Sequence, residues 1–135
     1  MSERAKQQKV KLKMYSSFED LDVYKTTVQF TAQVYDLLRK SPLKEDFAMV
    51  DQMRRATISI SNNISEGFER ETDKELIRFL YFSKGSAGEV RNLFNIMERI
   101  GYFEAVELKD YRNQIINISK QLANYIKYVK KRSDL

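Results

Sequence analysis

Residues 72–101 read TDKELIRFLYFSKGSAGEVRNLFNIMERIG, and this stretch decides the fold class. Thr72 is a helix-capping residue with Glu75 three positions on, and Asp73 and Glu75 place acids in the first turn, where the positive end of a helix dipole favours them. Leu76, Phe79, Leu80, Ser83, Ala87, Val90, Phe94 and Met97 then recur at spacings of three and four, which puts them on one face of an α-helix. Gly101 is the expected stop.

The same period extends in both directions. Upstream, Ser17 with Asp20 reads as a capping box, followed by Leu21, Tyr24, Val28, Thr31, Tyr35 and Leu38 as a core-facing stripe that ends at Ser41-Pro42. A second helix is expected from about Lys44 to Ile64, its stripe Phe47, Val50, Arg54, Thr57, Ser61 and Ile64, with Gly67 as its stop and a loop of about eight residues before Thr72. A fourth runs from about Ala105 to Lys131 on Leu108, Tyr111, Ile115, Ile118, Leu122, Tyr125 and Val129. Four helices joined by short turns make an all-α, antiparallel up-down-up-down four-helix bundle, assigned to residues 16–135. The charged, Gln-rich residues 1–15 read as a flexible basic extension.

Composition narrows the chemistry. The 135 residues include one Pro and four Gly, so little interrupts long helices. There is no Cys and no His, which removes the usual zinc, haem and copper ligand sets and the Ser-His and Cys-His nucleophile pairs. Glu66 and Glu89 are the acids that fall at core-like positions, too few for a di-metal carboxylate site of the usual kind. Lys84-Gly85-Ser86-Ala87-Gly88 superficially resembles a phosphate loop, but it lies within a helical stripe; its small residues read as permitting close helix approach. The expectation is a protein with no catalytic, metal or cofactor site. No apolar run is long enough to span a bilayer and no secretory signal is visible, so the default expectation is the cytoplasm, with no membrane partner.

Charge and surplus apolar residues point to partners instead. The net charge is +5. Arg4, Lys6, Lys9, Lys11 and Lys13 oppose only Glu3 at one end, and Lys120, Lys127, Lys130, Lys131 and Arg132 oppose only Asp134 at the other. Basic ends on a mildly acidic body suit a polyanion, or serve solubility alone. Val23, Phe30, Val34 and Leu37, with Ile77, Tyr81, Phe82, Leu93, Ile96, Ile116, Ala123 and Ile126, form a further set of apolar positions. These either broaden the core or are buried against another subunit, and homo-oligomerisation is the favoured reading.

One segment is unusually polar for a helix: QMRRATISISNNISEGFER, Gln52 to Arg70. Its hydroxyl and amide side chains compete with helical hydrogen bonds unless a neighbouring helix satisfies them. The structural reading is a clamp in which Thr57, Ser61 and Ile64 face Ser83, Ser86 and Ala87 while Asn62, Asn63 and Glu66 bond across the helix ends; the other is a ligand or nucleic-acid site. Gln52, Arg54, Arg55, Ala56, Ser59, Ile60, Asn63, Ile64, Glu66, Gly67 and Arg70 together resemble the hallmark of a four-helix bundle family first recognised in intervening sequences of bacterial large-subunit ribosomal RNA. Phe79-Leu80, Gly85-Ser86 and Glu89 resemble its second motif, and Phe18 to Leu21 and Gly101-Tyr102 also fit. Ser83 departs from the Ala more common there, and the segment before Tyr15 is longer than the pattern, so the family says nothing of its role.

The resemblance implies a ring-shaped homopentamer, no established enzymatic activity and a largely unknown role. A similar protein, the accessory protein of diversity-generating retroelements, joins a reverse transcriptase and nucleic acid through a basic surface. The leading expectation is therefore a homo-oligomeric scaffold that associates with nucleic acid, foremost RNA, with Arg54, Arg55, Arg70, Lys127, Lys130, Lys131 and Arg132 as candidate phosphate contacts. Each has a plainer role as a solvated or ion-paired cation, and for Arg54 an inter-helix salt bridge is favoured. Asn62, Asn63, Glu66, Gly67, Gly85, Ser86 and Glu89 are the candidate structural motif. The rival function is a protein-interaction adaptor; a small-molecule enzyme lacks residues to carry it.

Overall fold

The computed structural model describes residues 16–134; the basic segment 1–15 and Leu135 lie outside the described residues. Four α-helices follow one another, α1 Asp22–Leu38, α2 Phe47–Phe68, α3 Asp73–Arg99 and α4 Ala105–Ser133. Two short 3-10 turns, Phe18–Asp20 and Leu43–Glu45, precede α1 and α2. Among the described residues there is no strand, and no helix is long and apolar enough to cross a membrane.

α3 begins and ends as its sequence dictates. The Thr72 hydroxyl accepts the backbone N–H of Glu75 at 3.2 Å. At the other end Gly101 has φ +84°, the left-handed conformation that glycine adopts without steric cost. There Gly101 N–H donates to the Glu98 carbonyl at 3.1 Å and Tyr102 N–H to that of Met97 at 2.9 Å, the paired bonds of a Schellman cap.

The other boundaries differ from expectation. Ser17 caps the 3-10 turn, accepting from Glu19 N–H at 3.0 Å, while Asp20 takes a bond from the Ser16 hydroxyl. Leu21 is extended, so α1 starts later than predicted. α2 starts at Phe47 because Asp46 accepts from Met49 N–H at 3.0 Å. Tyr102 donates a second bond to the same carboxylate, 2.6 Å to Oδ2, tying the α3–α4 turn to the start of α2. Those two bonds, Tyr102's foremost, hold the Asp46 carboxyl below its ordinary pKa. α2 continues to Phe68, which places Gly67 inside the helix and leaves only four residues before α3.

Helix α3 packs most extensively on α2 and α4, and α1 lies against α2 and α4. Ser83 meets Ile60 while Gln52 reaches Glu89, so the order of contacts along α2 reverses along α3. Arg132 likewise meets Asp73 while Arg112 meets Glu98, so α4 also runs opposite to α3. The core contains every residue of the predicted α3 stripe. On α1, however, the buried residues are Val23, Thr27, Phe30, Val34, Leu37 and Leu38; of the predicted stripe the ends, Leu21 and Leu38, are buried, whereas Tyr24, Thr31 and Tyr35 are half-buried and Val28 is exposed. On α2, Val50, Met53, Ala56, Thr57, Ile60 and Ile64 face inward, and Phe47 and Arg54 face solvent. Much of the surplus apolar set thus belongs to the core, including Ile77, Leu93 and Ile126; Tyr81, Phe82 and Ile96 stay exposed.

Candidate nucleic-acid interface

Two neighbouring regions collect the residues singled out from the sequence. The first is a polar seam between α2 and α3. Ser59 and Ser86 share a hydroxyl–hydroxyl bond of 2.9 Å, the buried Ser83 donates to the Ile60 carbonyl at 2.8 Å, and Gln52 Nε2 donates to Glu89 Oε1 at 3.1 Å. Asn63 Nδ2 donates within its own helix, to the Ser59 carbonyl and hydroxyl at 2.8 and 3.0 Å. The α2–α3 link is made by Ser59 rather than by the predicted Thr57 and Ser61, whose hydroxyls donate to the Met53 and Ile58 carbonyls of α2 itself. Asn62 and Glu66 are exposed, and Glu66 accepts from Arg70 instead of bonding across the helix ends. Glu89 is exposed too, so neither predicted core-like acid is buried.

The glycines divide in the same region. A Cβ on Gly67 would lie 2.7 Å from Phe79 Cβ, so here the lack of a side chain sets the α2–α3 spacing. At Gly85 and Gly88 nothing lies within 4 Å of such an atom. These two do not serve helix approach within the chain, contrary to the reading from composition. Beside Gly85 opens a shallow groove of about 430 Å³, bordered by Ser59, Asn63, Ser86 and Glu89 and by the rings of Tyr81 and Phe82.

The second region is the end of α4 and the adjoining surface of α3. Lys127, Lys130 and Lys131 stand at spacings of three and four and therefore share one face of α4; Lys127 and Lys131 are exposed. Lys130 Nζ donates to the Tyr81 hydroxyl at 2.9 Å and lies 5.2 Å from its ring centre. Beside it on the exposed surface of α3, the Arg78 guanidinium lies 5.2 Å from the Phe82 ring, and Arg70, past the end of α2, lies 4.8 Å from the Phe79 ring.

Other candidate cations are engaged structurally. Arg55 pairs with Asp51 one turn back at 2.8 Å, and Arg70 pairs with Glu66 at 3.0 Å, both on the surface, where such pairs contribute roughly 0–1 kcal/mol. Arg54 is exposed and crosses to α1 over the Tyr35 ring, 5.6 Å from its centre, in place of the predicted salt bridge. Arg132 is withdrawn from any ligand surface. Its side chain is 5% exposed and makes a two-point contact with Asp73 at 2.7 and 3.1 Å, and the Ser133 hydroxyl donates to the same carboxylate. That cluster closes the start of α3 onto the end of α4, with a carboxylate at a helix N-terminus where the dipole favours it.

Burial raises the Asp73 pKa, but the bonds from Arg132 and Ser133 and the Arg132 charge outweigh it, and the net shift is downward. A carboxyl whose folded pKa lies below its unfolded value stabilises the fold above the unfolded pKa and loses that contribution as pH falls through the folded one. The stability gap between the wild type and Asp73→Asn should therefore be full at neutral pH and close below the ordinary value of 3.8. Denaturant midpoints at pH 7 and pH 3 measure it; a gap independent of pH would mean the pair is not formed.

Fold and surface together define an all-α four-helix protein with a polar seam and a cation-bearing edge. The chain belongs to the 23S rRNA-intervening sequence protein family, whose model matches residues 19–124. It is similar to the crystal structure of a protein with unknown function from the S23 ribosomal protein family of Bacteroides thetaiotaomicron, with a TM-score of 0.73, 23% identity, and coverage of 78% of this chain and 95% of that one. At that identity the likeness bears on the fold alone. Comparison with curated proteins finds no match.

Proposed function

We propose that the protein is a non-enzymatic, homo-oligomeric scaffold, pentameric as the family resemblance implies, that associates with nucleic acid, foremost RNA, through its basic surface. The observation that carries this is the shared α4 face of Lys127, Lys130 and Lys131, with Arg78 on the adjoining α3 surface. Ammonium groups on long stems neutralise phosphates and release counterions without reading bases. Repetition of one such face around a symmetric assembly multiplies a weak contact into useful avidity. Ile96 and Ile100, exposed one turn apart at the end of α3, offer an apolar surface for self-association.

Binding to mixed RNA should weaken by at least about tenfold between roughly 50 and 200 mM salt, with a shallower dependence in Lys127→Gln/Lys131→Gln. Sedimentation equilibrium should return five chains per particle. Salt-independent binding, or none at low salt, would remove the nucleic-acid role; an intact oligomer without RNA binding would instead fit an adaptor for another protein.

A further inference from the structure

We infer that the strip from Lys130 across Tyr81 and Phe82 to Arg78 is a stacking platform that selects single-stranded over double-stranded nucleic acid. The inference rests on the nucleic-acid reading above and adds to it what the rings do. Tyr81 and Phe82 occupy successive positions on α3 and are 49% and 47% exposed. Each ring has its own cation, Lys130 for Tyr81 and Arg78 for Phe82, both 5.2 Å from the ring centre. Half-exposed rings, each with a cation over one face, take unpaired bases by stacking while the cations turn to the phosphates between them.

The ground beside the rings fits a base. Gly85 follows them by about one turn and leaves the α3 ridge bare, so a planar group can approach the backbone. The groove there offers the Ser59 and Ser86 hydroxyls and the Asn63 amide, groups that hydrogen-bond base edges or a ribose 2′-hydroxyl. Glu89 lies on the same groove and accepts from Gln52. Its charge repels phosphate, which leaves the groove to bases and keeps the backbone on the Lys130 and Arg78 side. Glu75 pairs with Arg78 at 3.3 Å, but on the surface, where a phosphate competes readily.

A duplex cannot use this surface in the same way, because its base faces are stacked on each other and only phosphates, sugars and base edges are outward. Aromatic rings and Arg also occur at subunit contacts, whereas Lys is depleted there, and the sedimenting mass of the leucine pair separates the two uses.

The test is fluorescence anisotropy of the full chain with a labelled oligouridylate and with duplex RNA of equal length, at low salt. The wild type should favour the single strand, and Tyr81→Leu/Phe82→Leu should weaken that binding by about tenfold or more while leaving duplex binding unchanged. Leucine keeps apolar contact without a flat face; circular dichroism verifies that the helices persist. Tyr81→Phe, which keeps the ring and loses the bond to Lys130, should retain the preference, and Glu89→Gln should bind at least as tightly. If the leucine pair binds the single strand like the wild type while Lys127→Gln/Lys131→Gln weakens both RNAs, the platform is refuted and the scaffold reading survives. A leucine pair that changes the sedimenting mass marks the rings as a subunit contact and overturns the platform. Failure of the wild type to bind either RNA removes both.

Discussion

Phe30→Ala is expected to destabilise the fold by about 3–5 kcal/mol, the usual range for removing an aromatic ring from a core that cannot collapse around the gap. Phe30 is fully buried and meets Phe94 edge to face, with ring centres 6.4 Å apart and planes at 87°. Phe94 in turn leans on Tyr111 of α4, at 5.8 Å. Deleting Phe30 therefore empties a position shared by three helices. Against a total stability of about 5–15 kcal/mol for a domain of this kind, the loss is a large share. Tyr35→Ala, on the neighbouring stripe of the same helix, should cost only about 1 kcal/mol, much of it the lost contact with the Arg54 guanidinium. Guanidinium midpoints at one fixed chain concentration compare the two, since the stability of an oligomer shifts with concentration. Equal losses, or a larger one for Tyr35, would return the core face of α1 to the Tyr24, Val28, Thr31 and Tyr35 stripe.

That comparison isolates what the sequence concealed. Two apolar stripes share α1, and the predicted one carries Tyr24 and Tyr35, whose hydroxyls favour a wet edge. Each holds a threonine, and Thr27 on the buried one satisfies its hydroxyl on the Val23 carbonyl at 2.7 Å and is fully buried. α3 was legible throughout because its cap, its stripe and its glycine stop agree. The surface ion pairs could also be found, since Arg55–Asp51 and Arg70–Glu66 are one turn apart. Arg132 could not: its partner Asp73 is 59 residues away, and only the antiparallel packing of α3 and α4 brings them together. The cation–ring contacts were hidden for the same reason where they cross helices, as with Lys130 and Tyr81. Helix spacing alone places Lys127, Lys130 and Lys131 on one face, but it does not show what stands next to it.

The three helical glycines should respond to alanine with opposite signs. Exchanging a helical glycine for alanine gains about 1 kcal/mol of helix propensity when the methyl group has room. Gly85 and Gly88 have that room within the chain, so Gly85→Ala should stabilise the isolated fold. At Gly67 the new carbon would meet Phe79 Cβ at 2.7 Å and both Leu76 Cδ1 and the Leu76 carbonyl at 3.3 Å. Phe79 Cβ is fixed to the backbone and cannot swing aside, so α2 and α3 must separate. Overpacking of this kind costs about 1–3 kcal/mol, which outweighs the propensity gain, and the branched side chain of Gly67→Val should cost about 3 kcal/mol or more. The separation also reaches the polar seam, because the Ser59–Ser86 bond at 2.9 Å and the Ser83–Ile60 bond at 2.8 Å have no slack to follow it. Gly67→Val should therefore lower the denaturation midpoint and loosen the seam together, seen as faster amide exchange along α2 and α3. If Gly67→Ala stabilised as Gly85→Ala is expected to, the close approach of α2 and α3 would not be what holds the seam in register. Destabilisation by Gly85→Ala at concentrations where the chain assembles, and not under dissociating conditions, would mean that another subunit covers the α3 ridge on which the stacking platform stands.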